Sequence, residues 1–340
     1  MKAMILAAGY GTRLRPLTYV VPKPMVPLLN RPLVGWAVET FLREGIRDII
    51  LNLHHLPDAI ERHLNERYGH EVNFEYSEED EILGTGGAVR RVRKLLEADE
   101  EFFLSNGDTV QFPPYAEMLE KRRAMNAIAA LNLRRAPDQD RFTPVFHEHG
   151  RVTGFGKGTG EALMFAGTHC LSPRIFDFMP AKEAFGIVDE VYQPILASGA
   201  ESIAAVLDDR HWFDVGTPQR YVSASRSLLD ATVRGELHVA RGSRVRGDSI
   251  VHETSHVASA DVSRCVVGAR SMVNGELRDT VVWEDCVIGG SATLERCVIA
   301  HGVEISGPFE LSDALVLRAE RAIPEHPDYE RRDGLVIVRI

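Results

Sequence analysis

The chain has 340 residues, with 49 acidic against 39 basic side chains and a formal net charge of −10 at neutral pH. That length holds one large domain and a smaller one. The acidic balance excludes non-specific nucleic-acid binding but leaves room for a local anion site. Hydrophobic residues at 44% and charged ones at 26% are ordinary for a globular protein. No stretch reaches the length of a membrane span, and the N-terminus lacks the pattern of a secretory leader. The cysteines Cys170, Cys265, Cys286 and Cys297 are scattered without zinc-like spacing. They read as small buried residues of a reduced, cytoplasmic protein.

Residues 1–8 form an apolar run, the first buried strand, and end in a loop with Gly9 and Gly11. Apolar residues at helical spacing predict a helix over 32–44, closed by Gly45. A β-branched strand over 46–53, a helix over 57–68 and a strand over 72–76 follow. A basic helix is predicted from Gly84 to Ala98, then a strand from Phe102 to Leu104 that ends at Ser105-Asn106-Gly107-Asp108. A helix over 115–125 and a strand over 127–134 continue the alternation. Short strands and turns fill 142–160, a strand covers 162–171, and helices lie near 189–197 and 218–229. Alternating strands and helices predict an α/β domain with a Rossmann-like, mixed but mostly parallel sheet and helices on both faces. Ligands of such sheets sit beyond the carboxyl ends of the strands. The Gly9–Gly11 loop and the Asn106–Asp108 segment both fall there.

Near residue 235 the texture changes. Val239, Val245, Val251 and Val257 recur at every sixth position, and the frame resumes at Val267 and Val273, Val281 and Val287, Ile299 and Ile305. That period predicts a β-helix of about four turns. The domain reading is therefore 1–232 for the α/β domain and 233–340 for the β-helix, with a less regular end and a closing strand over 334–340.

The first loop carries the chemistry. Backbone N–H groups of a glycine loop after a buried strand can approach phosphates closely. Arg13, Arg15 and Lys23 add positive charge. The dinucleotide fingerprint fails, because its third glycine position is Leu14; the P-loop fails, because Gly11 is followed by Thr12-Arg13. What the segment does resemble is the signature of the sugar-1-phosphate nucleotidyltransferases. Their Leu-Ala-Ala-Gly-x-Gly-Thr-Arg-Leu is present from Leu6 to Leu14, followed by Pro16, Thr18 and Pro22-Lys23-Pro24-Met25.

The resemblance implies a reaction. A sugar-1-phosphate oxygen attacks the α-phosphorus of a nucleoside triphosphate and pyrophosphate leaves. Such a transfer asks for positioning and charge neutralisation rather than a strong base. Arg13 is suited to the β- and γ-phosphates, and Lys23 to the attacking phosphate and the α-phosphate. Arg15 reads equally as a surface residue or a phosphate contact. With Asp108 these make the catalytic set Arg13, Lys23 and Asp108. The resemblance further implies that Leu6, Ala8, Gly9, Gly11, Thr12 and Arg13 line the nucleotide, together with Asn106. Glu81 and Gly86, in Glu81-Ile82-Leu83-Gly84-Thr85-Gly86-Gly87, would read the base. Asp108 and Asp214, the latter in Trp212-Phe213-Asp214-Val215-Gly216-Thr217, would hold Mg²⁺.

The sugar side departs from the family pattern. Lys157 and Gly167 align as sugar-phosphate residues, but Gly156 stands where the family has glutamate and Phe165 where it has asparagine. Phe142-Thr143 replaces an aromatic-glycine pair. His54, His55, His147 and His149 read as surface residues. The texture is closest to mannose-1-phosphate guanylyltransferases, which implies GTP and mannose 1-phosphate; UTP- or dTTP-dependent transfer to another sugar phosphate is the alternative. A non-catalytic regulatory protein that binds nucleotide sugars is an alternative of another class. A β-helix acyltransferase using His252, His256 or His301 is a third. The tail, which resembles the left-handed β-helices of many nucleotidyltransferases, reads as a surface for a homo-oligomer or an effector. No nucleic-acid or membrane partner is expected.

Overall fold

The computed structural model describes residues 1–137, 142–258 and 261–340. They fall into two compact units that do not follow the chain order. The first is Met1–Tyr10 with Val34–Phe213; the second is Gly11–Leu33 with Asp214–Ile340.

The first unit is built on one nine-stranded sheet. Its order is Asn73–Glu78, Asp48–Leu53, Lys2–Leu6, Phe102–Asn106, Glu161–Leu171, Ala129–Arg134, Ile203–Leu207, Arg151–Phe155 and Pro144–Glu148. The first four strands are parallel, and their register sets Leu6 beside Asn52 and Asn106, with Asn52 beside Ser77. Continuous apolar runs such as Met4-Ile5 and Ile49-Ile50-Leu51, all essentially inaccessible, suit strands covered on both faces. The long strand Glu161–Leu171 enters antiparallel between Phe102–Asn106 and Ala129–Arg134 and bends the pattern away from a purely parallel sheet. Its register slips between Phe165 and His169, a bulge that contains Gly167.

The helices form near their expected places: Leu33–Arg43, Pro57–Tyr68 and Tyr115–Ala124. The helix expected over 84–98 is two pieces, Gly84–Arg91 and Arg93–Leu96, because Val92 leaves helical geometry at φ −98° and ψ 17°. A wide π turn at Val188–Tyr192 precedes the helix Gln193–Ser198. Val89, Leu96, Phe102 and Tyr192 share one buried cluster with the sheet.

In the second unit the helix Pro218–Val233 leads into a β-helix. Thr217 caps that helix, its Oγ1 accepting from the Arg220 N–H at 3.3 Å. Three parallel ladders run along the β-helix. Coils advance from Ile250 to Val266, Val281, Val298 and Leu315 in one of them. The closing strand is Leu335–Arg339, antiparallel to Ala314–Arg318. Two expectations change here. Val245 lies on a hairpin, Ser243–Arg246 against Ser249–His252, and is 42% exposed, so the repeat begins at Ile250–Val251 rather than at Val239. Across the third coil the core is filled by Val282 and Ile288, one place after the expected Val281 and Val287. The coils are shorter than three full hexads. Left-handed corners at Asp279 (φ 47°) and Asp285 (φ 59°) absorb the difference. Cys265, Cys286 and Cys297 point into this core, and burial pushes the thiols of the first two up to about 12 and the third to about 11.

Candidate active site

The residues singled out from the sequence are divided between the two units. The first unit holds Leu6, Ala8, Gly9, Glu81, Gly86, Asn106, Asp108, Lys157 and Gly167; the second holds Gly11, Thr12, Arg13, Lys23 and Asp214.

In the first unit, the ends of the parallel strands are tied together. The Gly107 N–H donates to the Leu6 carbonyl at 2.9 Å, which sets the Asn106–Asp108 turn against the end of the first strand. Gly167, in the bulge, has φ +99°, and a Cβ there would stand 2.7 Å from Asn106 Nδ2. The aligned sugar residue and the Asn-Gly-Asp segment therefore meet, and only glycine fits the contact. Beneath the bulge Phe165 packs edge-on to His169, with ring centroids 4.6 Å apart. The Tyr192 hydroxyl and His169 Nδ1 share a hydrogen bond at 2.5 Å. Burial pulls the imidazole down to about 3, so the ring is neutral and free to accept.

Two residues that the sequence reasoning did not single out tie the strand ends to the Leu83–Gly87 segment. Glu79 is 4% exposed. Its Oε1 accepts from Asn52 Nδ2 at 2.8 Å and its Oε2 from the Leu83 N–H at 2.9 Å. Asn52 Oδ1 in turn accepts from the Ala7 N–H at 2.9 Å. His54 Nδ1 donates to the Glu79 carbonyl at 2.8 Å. One buried carboxylate thus links the glycine loop, two further strand ends and the start of the Gly84–Arg91 helix. Its signal in the sequence was only a carboxylate ending a strand before Leu-Gly-Thr-Gly-Gly. His54 is accordingly a structural partner rather than a surface residue, and the His147 side chain is also mostly covered, 11% exposed and 3.6 Å from Glu161.

Glu81 is exposed and Gly86 is buried. The Gly86 N–H donates to the Phe185 carbonyl at 2.9 Å, and a Cβ on Gly86 would fall within the Phe185 ring. The glycine is thus required by packing of the helix on Phe185. Arg90 lies over the other side of that contact, 5.6 Å from the ring centroid. Lys157 lines a groove with Thr153, Gly154, Gln193 and Leu196.

In the second unit the signature segment folds on itself. Gly11 has φ +60°, and its Cβ would stand 2.9 Å from Thr18 Cγ2 and 3.0 Å from Lys23 Cβ. Thr18 Oγ1 donates to the Gly11 carbonyl at 2.8 Å. The short turns Thr12–Leu14 and Lys23–Met25 are thereby clamped together, with Lys23 only 9% exposed. Arg15 lies 4.7 Å over the Tyr19 ring, a stacked surface position. Asp214 pairs with Arg220. A Cβ on Gly216 would be 3.0 Å from Asp214 Oδ2 and 3.3 Å from Arg13 Nη1, so the carboxylate and the Arg13 guanidinium share one small space. Asp108 and Asp214 offer hard carboxylate oxygens, the donor type for a magnesium-like cation. Arg13 and Arg220 beside Asp214 supply the charge that a polyanionic ligand needs.

Among the described residues one trio has the spacing of metal ligands: Glu284, Asp285 and His301 on the β-helix. Arg270 already bridges both carboxylates at 2.6 Å, so their charge is compensated. His252 is engaged with Thr254 at 2.9 Å. No helix among the described residues is long and apolar enough to cross a membrane.

Comparison with known proteins gives the family. The nucleotidyl transferase profile matches residues 2–231, and a GlmU-like C-terminal hexapeptide profile matches residues 235–312. A probable mannose-1-phosphate guanylyltransferase of Oryza sativa subsp. japonica is 29% identical over 93% of this chain and 86% of its own length. The mannose-1-phosphate guanylyltransferase of Mycobacterium tuberculosis is 29% identical over 89% and 80%. Among solved structures, HddC from Yersinia pseudotuberculosis complexed with GMP-PN aligns with a TM-score of 0.56 at 24% identity, over 67% of this chain and 99% of that one, and shares the fold. The β-helix is the left-handed hexapeptide type. With this signature clamped in place and this match over most of its length, the chain belongs to the nucleotidyl transferase family, that of the sugar-1-phosphate nucleotidyltransferases.

Proposed function

We propose that the chain transfers a guanylyl group from GTP to mannose 1-phosphate. A phosphate oxygen of the sugar phosphate forms the bond to the α-phosphorus, and the bond to the bridging oxygen of pyrophosphate breaks. The observation that carries GTP is Glu79. Its two oxygens are taken by Asn52 and Leu83, and it fixes the segment on which the exposed Glu81, an acceptor-only group, is placed to read the base with Gly86. Guanine offers an N–H and an NH₂ side by side on one edge, which such a group complements, whereas uracil and thymine present a single ring N–H between carbonyls. The names of the relatives, mannose-1-phosphate guanylyltransferases from plants, yeasts and a mycobacterium, support the same pair of substrates.

Arg13 grips the β- and γ-phosphates and stabilises the charge on leaving pyrophosphate. Lys23, stiffened by Pro22 and Pro24, neutralises the attacking phosphate and the α-phosphate. Leu6, Ala8, Gly9, Gly11 and Thr12 line the nucleotide through the loop backbone, with Asn106 beside them. Lys157 and Gly167 serve the sugar phosphate. Asp108 and Asp214 would hold Mg²⁺, which would neutralise phosphate charge. Arg220, paired with Asp214, holds that carboxylate in place. The β-helix serves a homo-oligomer, which sedimentation of the purified chain tests.

The test of function is pyrophosphate release across a matrix of nucleoside triphosphates and sugar 1-phosphates with Mg²⁺. GTP with mannose 1-phosphate should give the highest kcat/KM. Faster release with UTP or dTTP and another sugar phosphate would overturn the substrate assignment. Arg13→Ala and Asp108→Asn should each lower kcat by about 10²–10³-fold with the fold intact; near-normal turnover in either would refute its role.

A further inference from the structure

The signature segment is seated on the β-helix. In the second unit, Trp283 of the third β-helix coil donates its indole N–H to the Tyr221 hydroxyl at 2.9 Å. Tyr221, on the helix that follows Asp214, donates that hydroxyl to the Pro27 carbonyl at 2.7 Å. Tyr221 is inaccessible and Trp283 is 3% exposed, so no solvent competes for either bond. Their rings meet edge-on with centroids 6.4 Å apart. Pro27 opens the hairpin Pro27–Leu28 with Arg31–Pro32, directly after the Lys23–Met25 turn. At the hairpin tip, Asn30 Nδ2 donates to the Val267 carbonyl of the β-helix at 2.9 Å and lies 3.2 Å from Ser243 Oγ. The hairpin is therefore fixed at its stem by the tyrosine and at its tip by the asparagine. Lys23 lies at one end of this fixture, and the contact of Gly11 with Lys23 and Thr18 extends it to Arg13.

We propose that Trp283 of the β-helix is a positioning residue for nucleotidyl transfer, acting through the Tyr221 hydroxyl on the segment that carries Lys23 and Arg13. Tryptophan suits this position because its indole only donates, so the tyrosine oxygen must accept from it and direct its own proton to Pro27. A small displacement of the Pro27 carbonyl moves a charged pair whose value depends on meeting the transition state in place. The tail is thus part of the catalytic apparatus as well as a surface for assembly. The inference rests on the transferase reading above.

The experiment is a double-mutant cycle on the full chain with Trp283→Phe and Tyr221→Phe, which keep the rings and remove the two donors. Trp283→Phe should lower kcat about 10-fold and Tyr221→Phe about 10–100-fold, each with KM for both substrates within about 2-fold. The double variant should be no slower than Tyr221→Phe, because both act along one line. Met272→Ala, at an exposed β-helix position (47%), serves as the control and should leave kcat unchanged. Amide exchange at Met25 and Val26 should quicken in both donor variants and not in the control. Unchanged kcat in Trp283→Phe, multiplicative losses in the double variant, or exchange unaltered at Met25 and Val26 would each overturn the proposal. A wild-type chain that released no pyrophosphate would instead refute the transferase reading, and the exchange measurement would still decide the relay.

Discussion

Replacing Glu79 by glutamine separates a carboxylate's chemistry from its shape. In the wild type both oxygens accept: from Asn52 Nδ2 at 2.8 Å and from the Leu83 N–H at 2.9 Å. An amide of the same size must turn an NH₂ toward one of these donors, so one hydrogen bond is lost and two donors face each other in a buried place. Hydrogen bonds to charged groups contribute about 1.5–3 kcal/mol, and an unsatisfied buried group costs about 1–3 kcal/mol. The local loss is then about 2–3 kcal/mol, equivalent to about 30–160-fold in a local opening equilibrium. Amide exchange at Ala7 and Leu83, measured on the purified chain by mass spectrometry or NMR, should accelerate by that factor. With GTP as substrate, kcat/KM should fall about 10–100-fold, mostly through KM, since the group fixes the segment proposed to read the base and not the residues proposed for the reacting phosphorus. Wild-type exchange at both amides together with wild-type kcat/KM for GTP would refute both the structural and the base-reading roles.

Two more outcomes follow from packing and burial. Gly86→Ala forces a methyl group into the Phe185 ring and should destabilise the first unit by about 1–3 kcal/mol, a loss that Phe185→Leu in the same chain partly restores, as read by urea unfolding. His169 is held near 3 by burial, well below its ordinary 6.5, so the unfolded chain binds more protons between these values. Its contribution to stability is complete above about pH 6.5 and should decline by roughly 1.4 kcal/mol per unit as the pH falls toward 3. His169→Gln, which can still accept from Tyr192, should flatten that decline in acid unfolding curves; an unchanged slope would show that the imidazole does not titrate as its burial requires.

The parts of the site that lie contiguously in the sequence were the parts the sequence disclosed. Gly11, Arg13, Thr18 and Lys23 fall within a few turns of chain, and their residue types alone point to phosphate. Asn52 and Glu79 escaped notice because their meaning arises from burial and from bonds across 45 and 27 positions, to Ala7 and between each other. A strand-ending carboxylate looks the same whether solvated or buried. Glu81, two positions on, had equal claim by type, and only the fold exposes it. The β-helix was legible in its period but not in its frame. Valine pairs such as Val281-Val282 satisfy the pattern at either member, and the sequence does not say which faces inward when a corner is taken by aspartate in left-handed geometry. The sheet's change of direction at Glu161–Leu171 was likewise hidden, since an apolar strand reads alike in either sense.

Residues 11–33 and the tail form one compact unit although nearly two hundred positions separate them along the chain. Inheritance must respect that association. A chimera exchanged at residue 232 between two relatives would bring the hairpin of one parent to the seat of the other, mismatching Asn30 with Val267 and the Tyr221 hydroxyl with its indole. Exchanging 11–33 together with 214–340 would preserve both fits. Sequence divergence among relatives should then show correlated substitution between these two distant stretches, stronger than that between the tail and the helices of the first unit.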